Sequence, residues 1–189
     1  MKDILSPPVV ATSRVTQSVG NLISAKTHLR AKLGGIASIP CVQALDKPHT
    51  DDPGEHLRTI HYLLGQVATI YGLGACPIEI VSHSNFDFAY GGKLKAVYDP
   101  NMDHIFIRDD STPVCVSLGV HELFERWLHV PDNPWSAEEC HKAALFGQAK
   151  IAITSRSQNL IKATRELILE AEIGDKDALK MICREYSNR

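Results

Sequence analysis

The sequence lacks any apolar run of about 18 residues, the length that a membrane-spanning helix requires. Residues 1–8 also lack the apolar core of a signal peptide, so we expect neither export nor membrane insertion. Five cysteines are scattered along the chain without a Cys-x-x-Cys pair, which argues against a zinc ribbon or a secreted disulfide framework. A cytoplasmic protein with reduced thiols is therefore expected.

The chain also lacks a large excess of charge of either sign. The formal net charge is -2 and the pI is about 6.5, whereas nucleic-acid-binding proteins usually carry a strongly basic face, so no nucleic-acid partner is expected. The composition, 44% hydrophobic and 22% charged, is sufficient for one globular core. Turn-forming residues at 46–54 separate an N-terminal extension, residues 1–54, from a domain at 55–189. The extension is expected to be partly helical or mobile, with one helix between Val15 and Leu33.

Hydrophobic spacing predicts several helices and a small sheet. Between Glu55 and Tyr71 the apolar residues recur at helical spacing, and Gly72 is expected to end that helix. Three short segments are typical of strands and predict an antiparallel sheet: 78–81, 94–98 and 104–108. Cap and breaker residues predict the remaining helices: from Pro113 to before Pro131, from Ala137 into the 150s, 158–173 and 175–186. The predicted fold class is α+β, with about five to six helices packed on the sheet.

The helix after Pro113 carries a pattern of metal-binding side chains, His-Glu-Leu-Phe-Glu at residues 121–125. Because residues four apart lie side by side on a helix, His121 and Glu125 share a face. Imidazole nitrogen and carboxylate oxygen are both normal zinc ligands. His141 lies one turn inside the next helix, which the short Pro-rich loop is expected to bring alongside. The sequence therefore predicts a divalent-metal site, with Zn²⁺ favoured, whose fourth position is open for water.

The order strand, loop and helix with His-Glu-x-x-ligand resembles the zincin metallopeptidases, whose signature is His-Glu-x-x-His. The resemblance covers about residues 78–150, and Glu125 stands where the family has its second histidine. It implies that His121 is the first metal ligand and that Glu122 is the general base acting on a metal-bound water. It also implies that strand 104–108 is the edge strand for an extended substrate. The carboxylate at Glu125 lowers the net charge of the site and weakens the effect of the cation on water.

The leading functional hypothesis is a metal-dependent hydrolase, specifically a zinc peptidase with a zincin-like fold, acting on a peptide or protein substrate. Its transition state needs a second oxyanion donor, for which the candidates are Arg126, Arg108, His129 and Tyr98. The alternative is a zincin-like scaffold without turnover that serves as a binding or assembly module. Its C-terminal helices would then form the interaction surface.

A di-iron carboxylate bundle is a third interpretation of the same residues. Glu122 and Glu125, with Glu138 and His141, resemble the ligand pairs spaced three apart in such bundles. Those sites require four helices that contribute inward-facing acids. The strands predicted before residue 110 disfavour that architecture.

A thiol enzyme is the fourth interpretation. Cys115 lies near the N-terminus of the motif helix, where a thiolate is stabilised, and Cys140 is adjacent to His141. No nucleophile and base pair can be identified from spacing alone. A buried structural role for both thiols competes with this hypothesis.

Overall fold

The computed structural model describes residues 25, 27–33, 45–46, 52–129, 134–171 and 174–187. Within these ranges seven helices and a three-stranded sheet form a mostly helical α+β fold, which confirms the predicted class. None of the helices described combines the length and apolarity needed to cross a membrane. In chain order the elements are α1 (27–33), α2 (Pro53–Tyr71), β1 (Ile78–Val81), α3 (His83–Tyr90), β2 (Ala96–Asp99), β3 (His104–Arg108), α4 (Thr112–Leu128), α5 (Ala137–Ser155), α6 (Gln158–Glu170) and α7 (Lys176–Ser187).

Local capping interactions set the helix ends close to the predicted positions. The Asp52 side chain accepts a hydrogen bond from the backbone N–H of Gly54 at 2.9 Å and so caps α2. Gly72 ends α2 in the left-handed conformation, with φ 56°. Ser136 and Glu139 form the predicted capping box, which confirms the start of α5 at Ala137.

The sheet corrects two expectations. The strand order is β1-β3-β2, with β1 parallel and β2 antiparallel to β3, so the sheet is mixed rather than antiparallel. Strand His104–Arg108 is consequently the central strand and not the edge strand that the zincin resemblance implied. The physical reason lies in burial, because Ile105 and Ile107 of β3 are fully buried against the helices while β2 is only partly covered. A strand that is buried in this way gains most from pairing on both edges.

Helix α4 lies at the centre of the fold and packs against α2, α5, α6, β2 and β3. Two glycines allow its neighbours to approach closely. A β-carbon on Gly119 of α4 would lie 2.4 Å from Leu64 Cδ1 of α2, and one on Gly147 of α5 would lie 2.8 Å from Phe124 Cδ2 of α4. The close approach of α5 matters most for the site, because the predicted ligands are divided between α4 and α5.

Part of the predicted N-terminal extension belongs to this core. Ala25, Leu29 and Leu33 are buried in it, as is Leu45. Leu45 and Asp46 form hydrogen bonds with the start of α6, where Asn159 Nδ2 donates to the Leu45 carbonyl at 2.9 Å. The predicted helix start at Val15 lies outside the described residues.

Candidate metal centre

Helices α4 and α5 bring together the three side chains that the sequence predicts as metal ligands. His121 and Glu125 lie one turn apart on α4, and His141 lies in the second turn of α5. The capping box at Ser136 fixes where α5 begins and hence which of its residues face α4 at this level. The His121 and His141 rings meet edge to face, with centroids 4.6 Å apart.

One atom from each side chain forms a triangle. His121 Nε2 lies 3.0 Å from Glu125 Oε2 and 3.1 Å from His141 Nδ1, and the third edge, His141 Nδ1 to Glu125 Oε2, measures 3.4 Å. A tetrahedral cation with bonds of about 2.0–2.2 Å holds its ligand atoms about 3.3–3.6 Å apart. The triangle is within a few tenths of an ångström of one face of such a tetrahedron. The arrangement could therefore hold a divalent cation with little side-chain movement.

The charge states favoured at His121 and Glu125 are compatible with metal binding. Burial lowers the pKa of His121, which is 6% exposed, although the nearby Glu125 opposes that shift. Burial would raise the pKa of Glu125, but hydrogen bonds from the two imidazoles outweigh it and lower that pKa to about 2. A neutral imidazole beside an ionised carboxylate is the state in which both can bind a cation.

Glu122 is buried on α4 at 8% exposure, beside strand β2. Burial is the main cause that raises the pKa of Glu122 to about 8, and the charge of Glu125 adds to it. A hydrogen bond from the backbone of Tyr98 opposes the shift. The strand that lies next to α4 at Glu122 is thus the outer strand β2. Glu122 itself interacts with the backbone of β2 and with the charge of Glu125.

No known protein family, curated protein or solved structure matches the chain.

Three of the four side chains considered as oxyanion donors, Arg126, Tyr98 and Arg108, form hydrogen bonds with carboxylates away from the ligand cluster. Arg126 binds Asp103 through two bonds, from Nε at 2.6 Å and from Nη2 at 2.8 Å. The Tyr98 hydroxyl donates to the same carboxylate at 3.0 Å. Arg108 Nη1 lies 3.4 Å from Asp87, and His129 is the exposed cap at the end of α4. Arg126 therefore acts as an anchor between α4 and the turn that joins β2 to β3.

Cys115 and Cys140, the two thiols considered as nucleophiles, are both buried. Burial raises the pKa of Cys115 to about 12, so the neutral thiol persists at physiological pH. A second group of potential ligands contains this thiol together with His56 and Asp109. Both ring nitrogens of His56 are occupied there, by Thr112 at 2.7 Å and by Asp109 at 3.1 Å. Cys140 is also buried, with its thiol directed at a backbone carbonyl. These contacts favour structural roles.

Glu138, which the di-iron interpretation requires as a ligand, does not face the other acids. Glu138 pairs with Lys142 on the solvent side of α5, and its side chain is 58% exposed. Strands β2 and β3 also pack against α4, whereas a di-iron bundle site is built from four helices. Of the groups considered, His121, Glu125 and His141 thus remain the best candidates for binding a metal ion.

Proposed function

We propose that this protein is a metal-dependent hydrolase in which His121, Glu125 and His141 hold a divalent cation, with Zn²⁺ favoured. The supporting observation is the triangle of ligand atoms with edges of 3.0, 3.1 and 3.4 Å. Two imidazoles and one carboxylate are also the ligands of several hydrolytic zinc enzymes, in which the fourth position is left open.

The proposal includes a zincin-like core, although the order of the ligands differs. In His-Glu-x-x-His the second position on the helix is an imidazole, whereas here Glu125 takes that position and His141 of the following helix supplies the imidazole. The composition of the ligand set, two nitrogens and one oxygen, is unchanged by this exchange. The site would therefore carry the same formal charge as other sites with two histidines and one glutamate.

Glu122 is the proposed general base. A bound cation would supply Lewis acidity, lowering the pKa of water toward about 7 and polarising a substrate carbonyl. Glu122 follows the proposed ligand His121 on α4, where its ionised carboxylate could accept a proton from a metal-bound water. It would take a proton from the attacking water and pass it to the leaving amine. Outer strand β2, beside Glu122, would replace β3 as the strand against which an extended peptide lies.

Metal content of the purified protein tests the site. We expect one zinc per chain by elemental analysis, and a loss of affinity of at least about 100-fold in His121→Ala and His141→Ala. His61→Ala is the matched control, because His61 is an exposed histidine on α2, and it should bind zinc as the wild type does. Wild-type binding weaker than millimolar would end the proposal.

Turnover tests the chemistry separately. Cleavage of a denatured protein substrate should be blocked by a chelator and restored by zinc. Glu122→Gln should retain zinc and lose cleavage, because the substitution removes the base and leaves the ligands. Full cleavage by the zinc-loaded Glu122→Gln variant would refute the role of Glu122.

A binding or assembly module that holds zinc without turnover is the second candidate. It is favoured by the hydrogen bonds that keep Arg126 and Tyr98 directed at Asp103, because these donors are then not directed at a substrate oxyanion. Zinc would in that case stabilise the contact between α4 and α5. Wild-type protein that binds zinc but cleaves no member of a broad peptide library would support this second function.

A further inference from the structure

A chain of buried polar side chains runs through the core and links α4, α5 and α6. Ser117 Oγ and Thr164 Oγ1 lie 2.7 Å apart, and Gln148 Nε2 donates to Ser117 Oγ at 2.8 Å. Each of the three residues is at most 2% exposed. Buried polar groups of this kind are stable only when they are hydrogen-bonded, so their orientations are mutually fixed.

The chain ends at a predicted metal ligand. With Nε2 of Gln148 committed to Ser117, the Oε1 atom remains as an acceptor on the other side of the amide. Gln148 Oε1 and His121 Nδ1 are both fully buried, and neither has another hydrogen-bond partner among the residues that the structure describes. The Gln148 side chain also acts on the imidazole, because a hydrogen-bonding contribution from it raises the pKa of His121 against the larger effect of burial.

Two groups compete for the single proton of the neutral His121 ring. Glu125 Oε2 lies 3.0 Å from Nε2 and favours a proton there, which would block that nitrogen as a ligand. An acceptor at Nδ1 favours the other tautomer, in which the Nε2 lone pair is available. Metal-binding histidines usually donate their second ring N–H to such an outer partner, and removal of that partner typically weakens metal affinity 10- to 100-fold.

We propose that Gln148 is a positioning residue for the metal centre: its Oε1 accepts a hydrogen bond from His121 Nδ1–H and holds the Nε2 lone pair toward the cation. This inference rests on the proposed metal site and identifies the residue that orients its first ligand. Ser117 Oγ accepts from Gln148 Nε2 and so fixes which side of the amide faces His121, whereas Thr164 contacts Ser117 and not the amide itself.

Zinc titration of the full-length chain tests the proposal. Gln148→Met preserves length and volume but removes the amide acceptor, and we expect zinc affinity to fall about 10- to 100-fold. Gln148→Glu restores an acceptor oxygen and should bring the affinity back to within threefold of wild type or better. Thr164→Val is the matched control, because it breaks the far end of the same network and leaves Oε1 in place. It should lower the melting temperature of the metal-free protein without changing zinc affinity by more than threefold.

The tautomer provides a readout that a purely structural role would not change. In the zinc-loaded wild type, the long-range ¹H–¹⁵N spectrum should show a slowly exchanging proton on His121 Nδ1, which should exchange faster in Gln148→Met. If Gln148→Met does not fold, Gln148→Leu, which also lacks the acceptor oxygen, replaces it in the comparison with Gln148→Glu, which retains one. Wild-type protein that binds no zinc overturns both this proposal and the proposed function. Normal zinc binding by the wild type and the Met variant alike overturns this proposal alone.

Discussion

Gly147 of α5 lies against the ring of Phe124 of α4 so closely that a β-carbon on Gly147 would come within 2.8 Å of Phe124 Cδ2. Atoms do not approach to that distance without displacement, and an aromatic ring cannot bend away from it. Gly147→Ala should therefore push α5 away from α4, costing about 1–3 kcal/mol of unfolding free energy. Because α5 carries His141, zinc affinity should fall together with stability. Urea unfolding and zinc titration of the same variant measure both effects.

Gly65 on α2 provides the control for that substitution. It lies in a helix, and a β-carbon there would meet nothing within 4 Å. Gly65→Ala should be neutral or should stabilise by about 0.5–1 kcal/mol, because alanine loses less backbone entropy than glycine in a helix. A Gly147→Ala variant as stable as Gly65→Ala would show that α5 is not held at contact distance by this glycine.

Zinc is expected to stabilise the fold. A ligand that binds only the native state adds about 2.7 kcal/mol of stability at a free concentration 100 times its dissociation constant. The melting temperature of the chelator-treated protein should therefore rise on addition of zinc, and this rise should disappear in His141→Ala. A melting temperature that zinc leaves unchanged in the wild type would contradict the presence of a native-state site.

Glu122 should make the stability of the metal-free protein depend on pH. Burial raises its pKa from 4.5 to about 8 in the native state, whereas in the unfolded chain the group ionises near its ordinary value. The unfolded state then binds fewer protons between those two values, so this contribution to stability is lost as pH rises from about 4.5 to about 8. Glu122→Gln removes the penalty and should be more stable than wild type by a few kcal/mol at pH 9, since one pKa unit corresponds to about 1.4 kcal/mol.

Denaturant unfolding in chelator at pH 5 and pH 9 measures that difference. The advantage of Glu122→Gln should be small at pH 5 and should increase at pH 9. An advantage that is equal at both pH values would mean that Glu122 ionises normally in the native state.

The ion pair between Asp103 and Arg126 should have the opposite pH dependence. The Arg126 hydrogen bonds lower the pKa of Asp103 from 3.8 to about 2, so the stability they provide is present above pH 4 and is lost as pH falls toward 2. Asp103→Asn tests this cleanly, because Asn also tolerates the left-handed backbone at this position, φ 49°. Since the Asp103 side chain is 54% exposed, solvent screening limits the expected loss at pH 7 to about 1 kcal/mol. The unfolding free energies of the wild type and Asp103→Asn should become equal as pH is lowered from 7 to 3. A difference that stays constant over this range would mean that the ionisation of Asp103 is not its cause.

The ligand cluster could be predicted because it depends on short-range geometry. Helical spacing places Glu125 one turn after His121, and the capping box places His141 in the second turn of α5. The positions of the strands in the sequence were predicted, but their order and direction in the sheet were not, because the pairing of β3 with both neighbours depends on burial that no local pattern contains. Helix α3 was missed for a similar reason. Phe86 is its one buried side chain among the described residues, so it lacks an apolar stripe.

The network behind His121 was also missed, because its partners are far apart in the chain. Gln148 and Ser117 are separated by 31 residues, and Ser117 and Thr164 by 47. A usable signal did exist. Ser117 lies four residues before His121 on α4, and Gln148 lies seven after His141 on α5, so both share the ligand faces of their helices. Polar residues at these positions in otherwise apolar faces indicate a buried partner.

Leu29 of α1 contacts the same point at which Gly147 meets Phe124, since a β-carbon on Gly147 would lie 3.1 Å from Leu29 Cδ2. Helix α1 thus packs at the contact between α4 and α5, the two helices that carry His121, Glu125 and His141. Loss of the Leu29 contact would expose the apolar face of α5 that it covers. The spacing between α4 and α5, on which the proposed metal site depends, would then lose one of its supports.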